Sequence, residues 1–515
     1  MTKYIGVTIG PIVDTISRAK KTRSAWRTSY MFSYIMKKII WKLKQDNRIE
    51  LILPYSKDDS IYTKPKKAGL FHDRLIIEVK KDFKLKDLVE IKDSVFEEFA
   101  KNAFKDNLDK KTKEEFIKYL DTYINFYALE KELDSKDNII LEISKYLDVM
   151  ELQPQICFMQ FEENKDYLFD FINDVSNDFL EKDAFEEGYE IKSLPEIAFT
   201  DIYKKSLEKV EEIDKEINKG KEDDKYPDDE KCYEIFKESM SAEFKKHHKY
   251  YAVVRADGDG IGAIIKELKV KEDYQNFSNI LFEFAKESVE EIEIYGGLPI
   301  FAGGDDLLFF APIINSSCNE YKNIFELTTA LSNIFEEKLK NLKGKTNKKG
   351  TLSFGITINY YKYPLYEAYN NSATLLFEKA KKYKGKNATA VKLLKGGNKP
   401  IEFILSKAEK EKFQEFLKIF NYDNKDKKLI KGVIYTLENQ IELLKLIQND
   451  EEKLTNFFIN NFKKEIHTDK TQINGLVREI NKILQLVINY GKKEETENLL
   501  KLLRFLMFLT ERGDE

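Results

Sequence analysis

The sequence predicts an α+β protein in which two compact α/β units alternate with two helical stretches. Three observations carry this. Residues 250–393 follow a β-α-β-β-α-β-α-β order, the N-terminus shows a shorter α/β pattern, and long charged amphipathic segments fill the rest. At 515 residues the chain exceeds a single hydrophobic core and is expected to divide into three or four domains.

The first unit spans 1–80. YIGVTI (4–9) reads as a short buried strand, Gly10-Pro11 punctuates it, a helix follows over 12–44, and strands are expected at 51–54 and 75–79. Residues 81–245 turn helical. DLVEIKDSVFEEFAKNAF and KTKEEFIKYLDTYINFYALEKEL repeat apolar residues at i, i+3, i+4 and i+7. The charge run at 213–230, which holds Gly220 and Pro227, reads as a linker or a solvated surface loop.

The second unit spans 246–398. YYAVVRA opens it as a strand, and a helix is expected over 277–295. Hairpin strands at 299–301 and 307–311 flank GGDD, and a helix covers 324–342. TLSFGITINY (351–360) is a strand, a helix covers 365–385, and a last strand lies at 388–393. This order is a ferredoxin-like core with an extension. Residues 399–515 are expected to be helical. The two α/β units read as weakly related halves.

Hydrophobic residues make up 42% and aromatics 13% of the chain, so core material is ample. Charged residues reach 34%, chiefly interspersed Lys and Glu that read as solvated helix faces, and the net charge is −4. No global basic field draws nucleic acid, so RNA contact must be local or come from partner subunits. Cys157, Cys232 and Cys318 lie far apart and are odd in number, and no CxxC pair occurs. With four histidines (His72, His247, His248 and His467), this gives no zinc pattern and fits a reducing, cytoplasmic setting. No signal-peptide core or membrane-length apolar run is present.

Chemistry concentrates at two places. Asp257-Gly258-Asp259-Gly260-Ile261-Gly262 follows the strand YYAVVRA, and Gly303-Gly304-Asp305-Asp306 occupies the hairpin turn. In the β-α-β-β order, strand and hairpin lie side by side and bring the carboxylates to one sheet edge. Asp257, Asp305 and Asp306 are therefore the candidate catalytic residues and ligands of Mg²⁺ or Mn²⁺, hard ions that take carboxylate and phosphate oxygens. Gly303 and Gly304 allow a nucleotide to approach, while Gly258, Gly260 and Gly262 offer backbone N–H groups to phosphates, with Ile261 among them as a further nucleotide contact. Asp259 sits on the loop, as a further nucleotide contact or as a cap of the next helix. Either motif alone also fits an ordinary turn; the two together, in this order, favour the site. Lys381 and Lys386, near a helix end, either reach a triphosphate or mark a charged helix terminus with a glycine cap.

At these residues the chain resembles the GGDEF and class III cyclase superfamily. Ser353-Phe354-Gly355 and the Lys381…Gly385-Lys386-Asn387 helix end add to the likeness. Within it, the chain is most similar to the large polymerase-cyclase subunit of type III CRISPR effector complexes, Cmr branch. GPIVDTI (10–16), AKKTR (19–23), Trp26 and Ser29-Tyr30 resemble that subunit's N-terminal signature, and LLRFLMFLTER (502–512) resembles its C-terminal end. The resemblance implies two ferredoxin-like palm domains, a helical insertion and a helical C-terminal domain. It implies ATP as substrate, release of pyrophosphate, and activation when target RNA pairs with guide RNA in a complex with other effector subunits, away from any membrane.

Three departures matter. The first strand is read near Tyr4, so the HD nuclease domain of many relatives is not expected here. His72-Asp73 alone does not build one. The zinc-binding cysteines of relatives are missing. His72-Asp73-Arg74 replaces a Pro-Asn-Arg, and Val13 replaces a glutamine. The first palm faces the second-substrate pocket, to which Asp73, Arg74 and Ser29 are assigned. A carboxylate there repels a triphosphate but pairs with an ammonium. Two products stay open: a cyclic oligoadenylate, or AMP joined to S-adenosylmethionine. Asp73 alternatively pairs with Arg74 or caps a turn. A catalytically silent scaffold and a stand-alone GGDEF-type cyclase are the rival functions. The intact aspartates oppose the first and the N-terminal signature opposes the second.

Replacing Asp305 and Asp306 together by Ala is expected to abolish pyrophosphate release from ATP without unfolding the chain, since both lie at a turn. Wild-type release from the folded double variant would remove the assignment.

Overall fold

The computed structural model describes residues 1–104, 110–153, 166–174, 176–202, 244–342, 344–395, 399–419 and 495–511, with scattered residues between 431 and 460. The 213–230 charge run, Cys157, Cys232 and His467 lie outside them.

Two sheets organise the chain. The first has the order β2-β3-β1-β4, built from β1 (Thr2–Gly10), β2 (Ile49–Leu53), β3 (Arg74–Val79) and β4 (Asn125–Leu133), all antiparallel. The second has six strands in the order β10-β9-β8-β5-β7-β6: β5 (Tyr250–Asp259), β6 (Leu298–Gly303), β7 (Asp306–Pro312), β8 (Thr351–Tyr360), β9 (Ala388–Leu394) and β10 (Ile401–Ser406). Its core, β8-β5-β7-β6, repeats the first sheet's order, with the fourth strand beside the first and the third beside the second. The coarse α+β expectation therefore holds.

Two strands correct the sequence reading. β4 lies inside the stretch read as helical and pairs with β1 from Thr2↔Leu133 to Gly10↔Asn125. NFYALEKEL runs along a half-exposed edge and carries Glu130, Lys131 and Glu132 in sequence, a charge run that hides the strand within a charged helical stretch. β10 likewise lies where only helix was expected, paired antiparallel with β9. Smaller differences concern helix ends. The 12–44 helix is two helices, Ile12–Ser17 and Thr22–Lys44. The 365–385 helix runs as α-helix over Leu365–Thr374 and then widens into a π-turn over Leu375–Ala380.

β5 is the central strand, gripped by β7 and β8, and Tyr250–Val254 are buried, as expected for a strand covered on both faces. The helix Lys271–Ile294 packs on β6 and also reaches the first unit. Lys271 pairs with Glu50 and Glu78, Ser278 Oγ accepts from the Tyr55 amide at 2.8 Å, and Asn279 Oδ1 accepts from the Lys57 amide at 2.8 Å. The Ala302 amide donates to Gly69 O at 3.0 Å. A Cβ on Gly69 would lie 2.8 Å from Ser33 Cβ, so this seam requires glycine. The C-terminal helix Glu495–Thr510 closes the far side of the second sheet, with Phe505 among Phe325, Phe403 and Phe413.

Gly355 on β8 lies directly beneath the 365–380 helix, where a Cβ would come within 2.5 Å of the Leu376 amide and meet the Ser372 carbonyl. Backbone cannot yield as a side chain can. Gly355→Ala is therefore expected to cost about 1–3 kcal/mol or more and to lower the melting temperature by several degrees. An unchanged melting curve would contradict this packing.

Candidate functional site

The second sheet delivers the acidic residues. Asp257 and Asp259 belong to β5 itself, two residues apart and on one face, and face Ser353 and Thr351 of β8. On the other side of β5, the β6–β7 hairpin pairs Gly303 with Asp306 across the turn residues Gly304 and Asp305; Gly304 has φ +66°. A Cβ on Gly258 would lie 2.8 Å from Asp305 Cβ and collide with its carboxylate, so the missing side chain lets the hairpin fold over the end of β5. Behind the turn, a Cβ on Gly303 would lie 3.4 Å from His72 Cβ of the first unit.

Lys381 meets this group directly. At the end of the π-turn, its ammonium pairs with Asp257, lies 3.0 Å from Asp259 Oδ1, and donates to Gly258 O at 2.6 Å. Burial works against its charge, but Asp257 and Asp259 outweigh burial and raise its pKa. Lys386 instead stands exposed in the following turn at φ +54°. Of the two lysines, the fold brings only Lys381 to the carboxylates.

Asp259 corrects the expectation of a loop or cap residue. The helix Ile261–Glu267 starts at Gly260, with φ +79° and no side-chain cap. Asp259 is buried and accepts from Ser353 Oγ at 2.7 Å, the Asn387 amide at 3.0 Å and Thr351 Oγ1 at 3.1 Å. It ties β5, β8 and the 385–387 turn together.

Burial and the neighbouring Asp257 push the Asp305 carboxyl up to about 6. Asp306 keeps contact with water, yet the walls of a cleft enclose it. That desolvation, with the charges of Asp305, Asp257 and Asp73, raises its pKa above the usual carboxylate range. Crowded carboxylates of this kind suit divalent cations, whose charge relieves the repulsion and whose preference is for hard oxygen ligands. Among the described residues, the group of three close enough to hold one ion is Asp201, His247 and His248, so the palm aspartates are more widely spread than a single three-carboxylate cage. In the histidine group, His248 Nδ1 accepts from the Lys245 amide at 3.0 Å, which leaves the proton on Nε2, 3.4 Å from Asp201 Oδ2. The other Asp201 oxygen takes the Ser316 amide at 2.5 Å. This arrangement is a hydrogen-bonded staple.

A cleft of about 540 Å³ lies between the two sheets. The first unit lines it with Gly10, Val13, Asp14 and Asp73, and Glu151 and Tyr127 follow from the β4 region. The second unit contributes Arg255, Asp306 and Phe377. Asp73 and Asp306 thus share one cavity. Burial, opposed by Arg74 and aided by Glu151 and Asp148, pushes the Asp73 carboxyl up to about 6. Arg74 is engaged elsewhere, donating to Asp148 Oδ1 at 2.5 Å and Glu151 Oε1 at 3.0 Å, so it does not cap Asp73. Ser29 departs from its assignment. It is buried within the Thr22–Lys44 helix and does not line the cleft. His72 is half-buried; desolvation, with the Arg74 charge, pulls its pKa down to about 4, and it accepts from the Arg74 amide at 3.1 Å. Sequence reasoning passed over Arg255 and Glu151. A lone charge in the apolar run YYAVVRA was the available signal for the first; nothing marked the second, whose place depends on β4.

Two outcomes follow. Asp257→Asn is expected to reduce nucleotidyl transfer by about two orders of magnitude while leaving thermal stability within about 1 kcal/mol of wild type. Asp259→Asn is expected to lose about 1.5–3 kcal/mol of stability as charge-assisted bonds weaken. Equal melting temperatures for the two variants would contradict the structural role given to Asp259. Second, Asp305 has a folded pKa above its unfolded value, so its ionisation destabilises the fold as pH rises through about 6. In chelator, Asp305→Asn is expected to raise the melting temperature at pH 7.5 by roughly 2 °C or more and to lose that advantage near pH 4. A constant difference across this range would contradict the crowding.

Comparison with known proteins agrees with this geometry. Residues 250–390 match the family model described as Cas10/Cmr2, second palm domain, and residues 4–113 match that of CRISPR-associated protein Cmr2, N-terminal. The CRISPR system Cmr subunit Cmr2 of Pyrococcus furiosus is 29% identical over 206 residues, which cover 35% of this chain and 22% of that protein. The chain thus matches only about a fifth of that relative's length. In fold, the chain resembles a subunit of the type III-B Cmr-beta complex in its apo state, at TM-score 0.56 and 12% identity, covering 95% of this chain and 82% of the other. It also resembles a chain of the Csm1-Csm4 cassette in complex with cA4, at TM-score 0.53 and 12% identity, covering 99% and 70%. The two family models thus fall on the two units whose strands build the cleft: the second unit is similar to the Cas10/Cmr2 second palm domain and the first to the Cmr2 N-terminal domain.

Proposed function

We propose that the chain is the nucleotidyltransferase subunit of a type III CRISPR effector complex, using ATP to make a signalling nucleotide once target RNA pairs with the guide. The observation that carries this is the clustering of Asp257 and Asp305, with Lys381, beside Asp306, which itself lines a cleft walled by two sheets of the same strand order. We read these sheets as two ferredoxin-like palms. The first extends through β4 to about residue 151, and the second through β10 to residue 406. No described helix is long and apolar enough to cross a membrane.

Asp257, Asp305 and Asp306 would hold Mg²⁺ or Mn²⁺, which supplies positive charge to the α-phosphate and the departing pyrophosphate. In the reaction, a ribose hydroxyl of the acceptor attacks the α-phosphorus of ATP. The new P–O bond forms as the bond to pyrophosphate breaks, and the hydroxyl proton passes to solvent. Lys381 balances the carboxylates until the nucleotide arrives and is then placed to meet a phosphate. Gly258, Gly260, Gly303 and Gly304 keep side chains away from it. Lys386, exposed in its turn, is at most a peripheral contact.

ATP and S-adenosylmethionine both carry ribose hydroxyls, so the product turns on which acceptor the cleft holds. Asp14, Asp73, Glu151 and Asp306 make its walls acidic. A second triphosphate is disfavoured there, while a sulfonium and an ammonium are favoured. The conjugate of AMP and S-adenosylmethionine is therefore the product this cleft supports best. The cA4-bound Csm1-Csm4 relative keeps the cyclic oligoadenylate reading as the alternative.

The activated complex, given labelled ATP with and without S-adenosylmethionine, is expected to form a mixed product. Asp73→Asn is expected to reduce that product about 10- to 100-fold, the worth of one charge-assisted contact. Oligoadenylates made equally well without S-adenosylmethionine, and unaffected by Asp73→Asn, would overturn the acceptor assignment.

A further inference from the structure

Among the described residues, Arg255 is a cation without an ion-pair partner. It lies on β5 opposite Leu308 of β7 and Gly355 of β8, on the same face as Asp257, and its side chain lines the cleft beside Asp306. Its Nε is buried and, among the described residues, takes part in no hydrogen bond, and no described carboxylate forms an ion pair with its guanidinium. The hydroxyl of Tyr369, which lies near it, is also buried and unsatisfied, as is that of Tyr251 beyond Tyr369. Burial lowers the Arg255 pKa, against the opposing influence of Tyr369 and Asp306.

Two other buried cations among the described residues are matched, whereas buried Lys410 lies over the Phe354 ring. Arg27 is held by Glu181 and three backbone carbonyls, and Lys37 by Asp183. A half-buried guanidinium with an unmatched, buried Nε carries a desolvation cost that the fold leaves unrelieved, and it faces a cavity rather than the core. Its planar donors suit a carboxylate or a phosphate bound edge-on. Asp73, from the other palm, influences Asp306 electrostatically, as Asp306 does Arg255, so cation and anion flank the same catalytic carboxylate.

We propose that Arg255 receives the carboxylate of an α-amino-acid acceptor while Asp73 receives its ammonium, so that the two palms together read a zwitterion. This rests on the acceptor reading given above. It makes Arg255 a specificity-determining residue. It also explains how an acidic cleft tolerates an acceptor that itself carries a carboxylate.

The experiment compares S-adenosylmethionine with decarboxylated S-adenosylmethionine, which keeps the sulfonium and amine but lacks the carboxylate. Both are measured by equilibrium binding and steady-state kinetics on the full chain in its effector complex. The wild-type protein is expected to bind the intact molecule about 10- to 100-fold more tightly than the analogue. Arg255→Gln is expected to abolish that preference and raise KM for S-adenosylmethionine, with KM for ATP unchanged, and Arg255→Lys is expected to recover part of it. The wild-type comparison needs no variant, so a failure of Arg255→Gln to fold leaves the test intact. Equal affinity of wild-type protein for both molecules would overturn the role of Arg255 while leaving the acceptor reading standing. Binding of neither molecule, with product formed from ATP alone, would overturn both.

Discussion

Three carboxylates converge where β5 ends and the β6–β7 hairpin turns, and their mutual repulsion is the constraint the rest of the structure serves. Strand pairing fixes Asp257 and Asp306 in register, and the bare backbone of Gly258 lets Asp305 close over the end of β5. Lys381 supplies one opposing charge, carried there by a π-turn that lengthens the helix over Gly355. Widened turns of this kind recur at functional sites because they redirect a side chain without ending the helix. Asp259 then serves as the tie that keeps this corner closed.

The first sheet gives the second one its purpose. Its order matches the core of the catalytic sheet, but it carries one carboxylate, Asp73, in the place that faces Asp306 across the cleft. The seam at Gly69 and Ala302 and the anchoring of the 55–57 segment on Ser278 and Asn279 hold the two units in contact close to the site. An acceptor bound between them would touch both, which fits a reaction whose product depends on what the first palm admits.

The legible parts of the sequence were those where one residue decides the outcome. DGDGIG and GGDD announced themselves because glycine and aspartate sit against apolar strands, and TLSFGITINY matched β8 residue for residue. The edge strands were hidden. In NFYALEKEL and IEFILS, solvent-facing charges mimic helical spacing, and only pairing with β1 or β9 reveals extended chain. Missing β4 also concealed Glu151, which follows it and reaches the cleft through Thr8 Oγ1 at 2.7 Å. Asp259 was misjudged because a loop and a strand end read alike in a Gly-Asp repeat. Ser29 was drawn in by an N-terminal signature whose work is packing: Trp26 Nε1 donates to Lys67 O at 2.9 Å, and Arg23 pairs with Glu181.

The account therefore makes one spatial claim above all others, that donor nucleotide, metal and acceptor meet between the two sheets. A structure of the full chain soaked with Mn²⁺, a non-hydrolysable ATP analogue and S-adenosylmethionine, read by anomalous scattering, tests it directly. Manganese peaks against Asp257 and the Asp305-Asp306 turn, with the acceptor between Asp73 and Arg255, are the expected result. Manganese at Asp201, His247 and His248 with the palm carboxylates bare, or an acceptor outside the cleft, would contradict it.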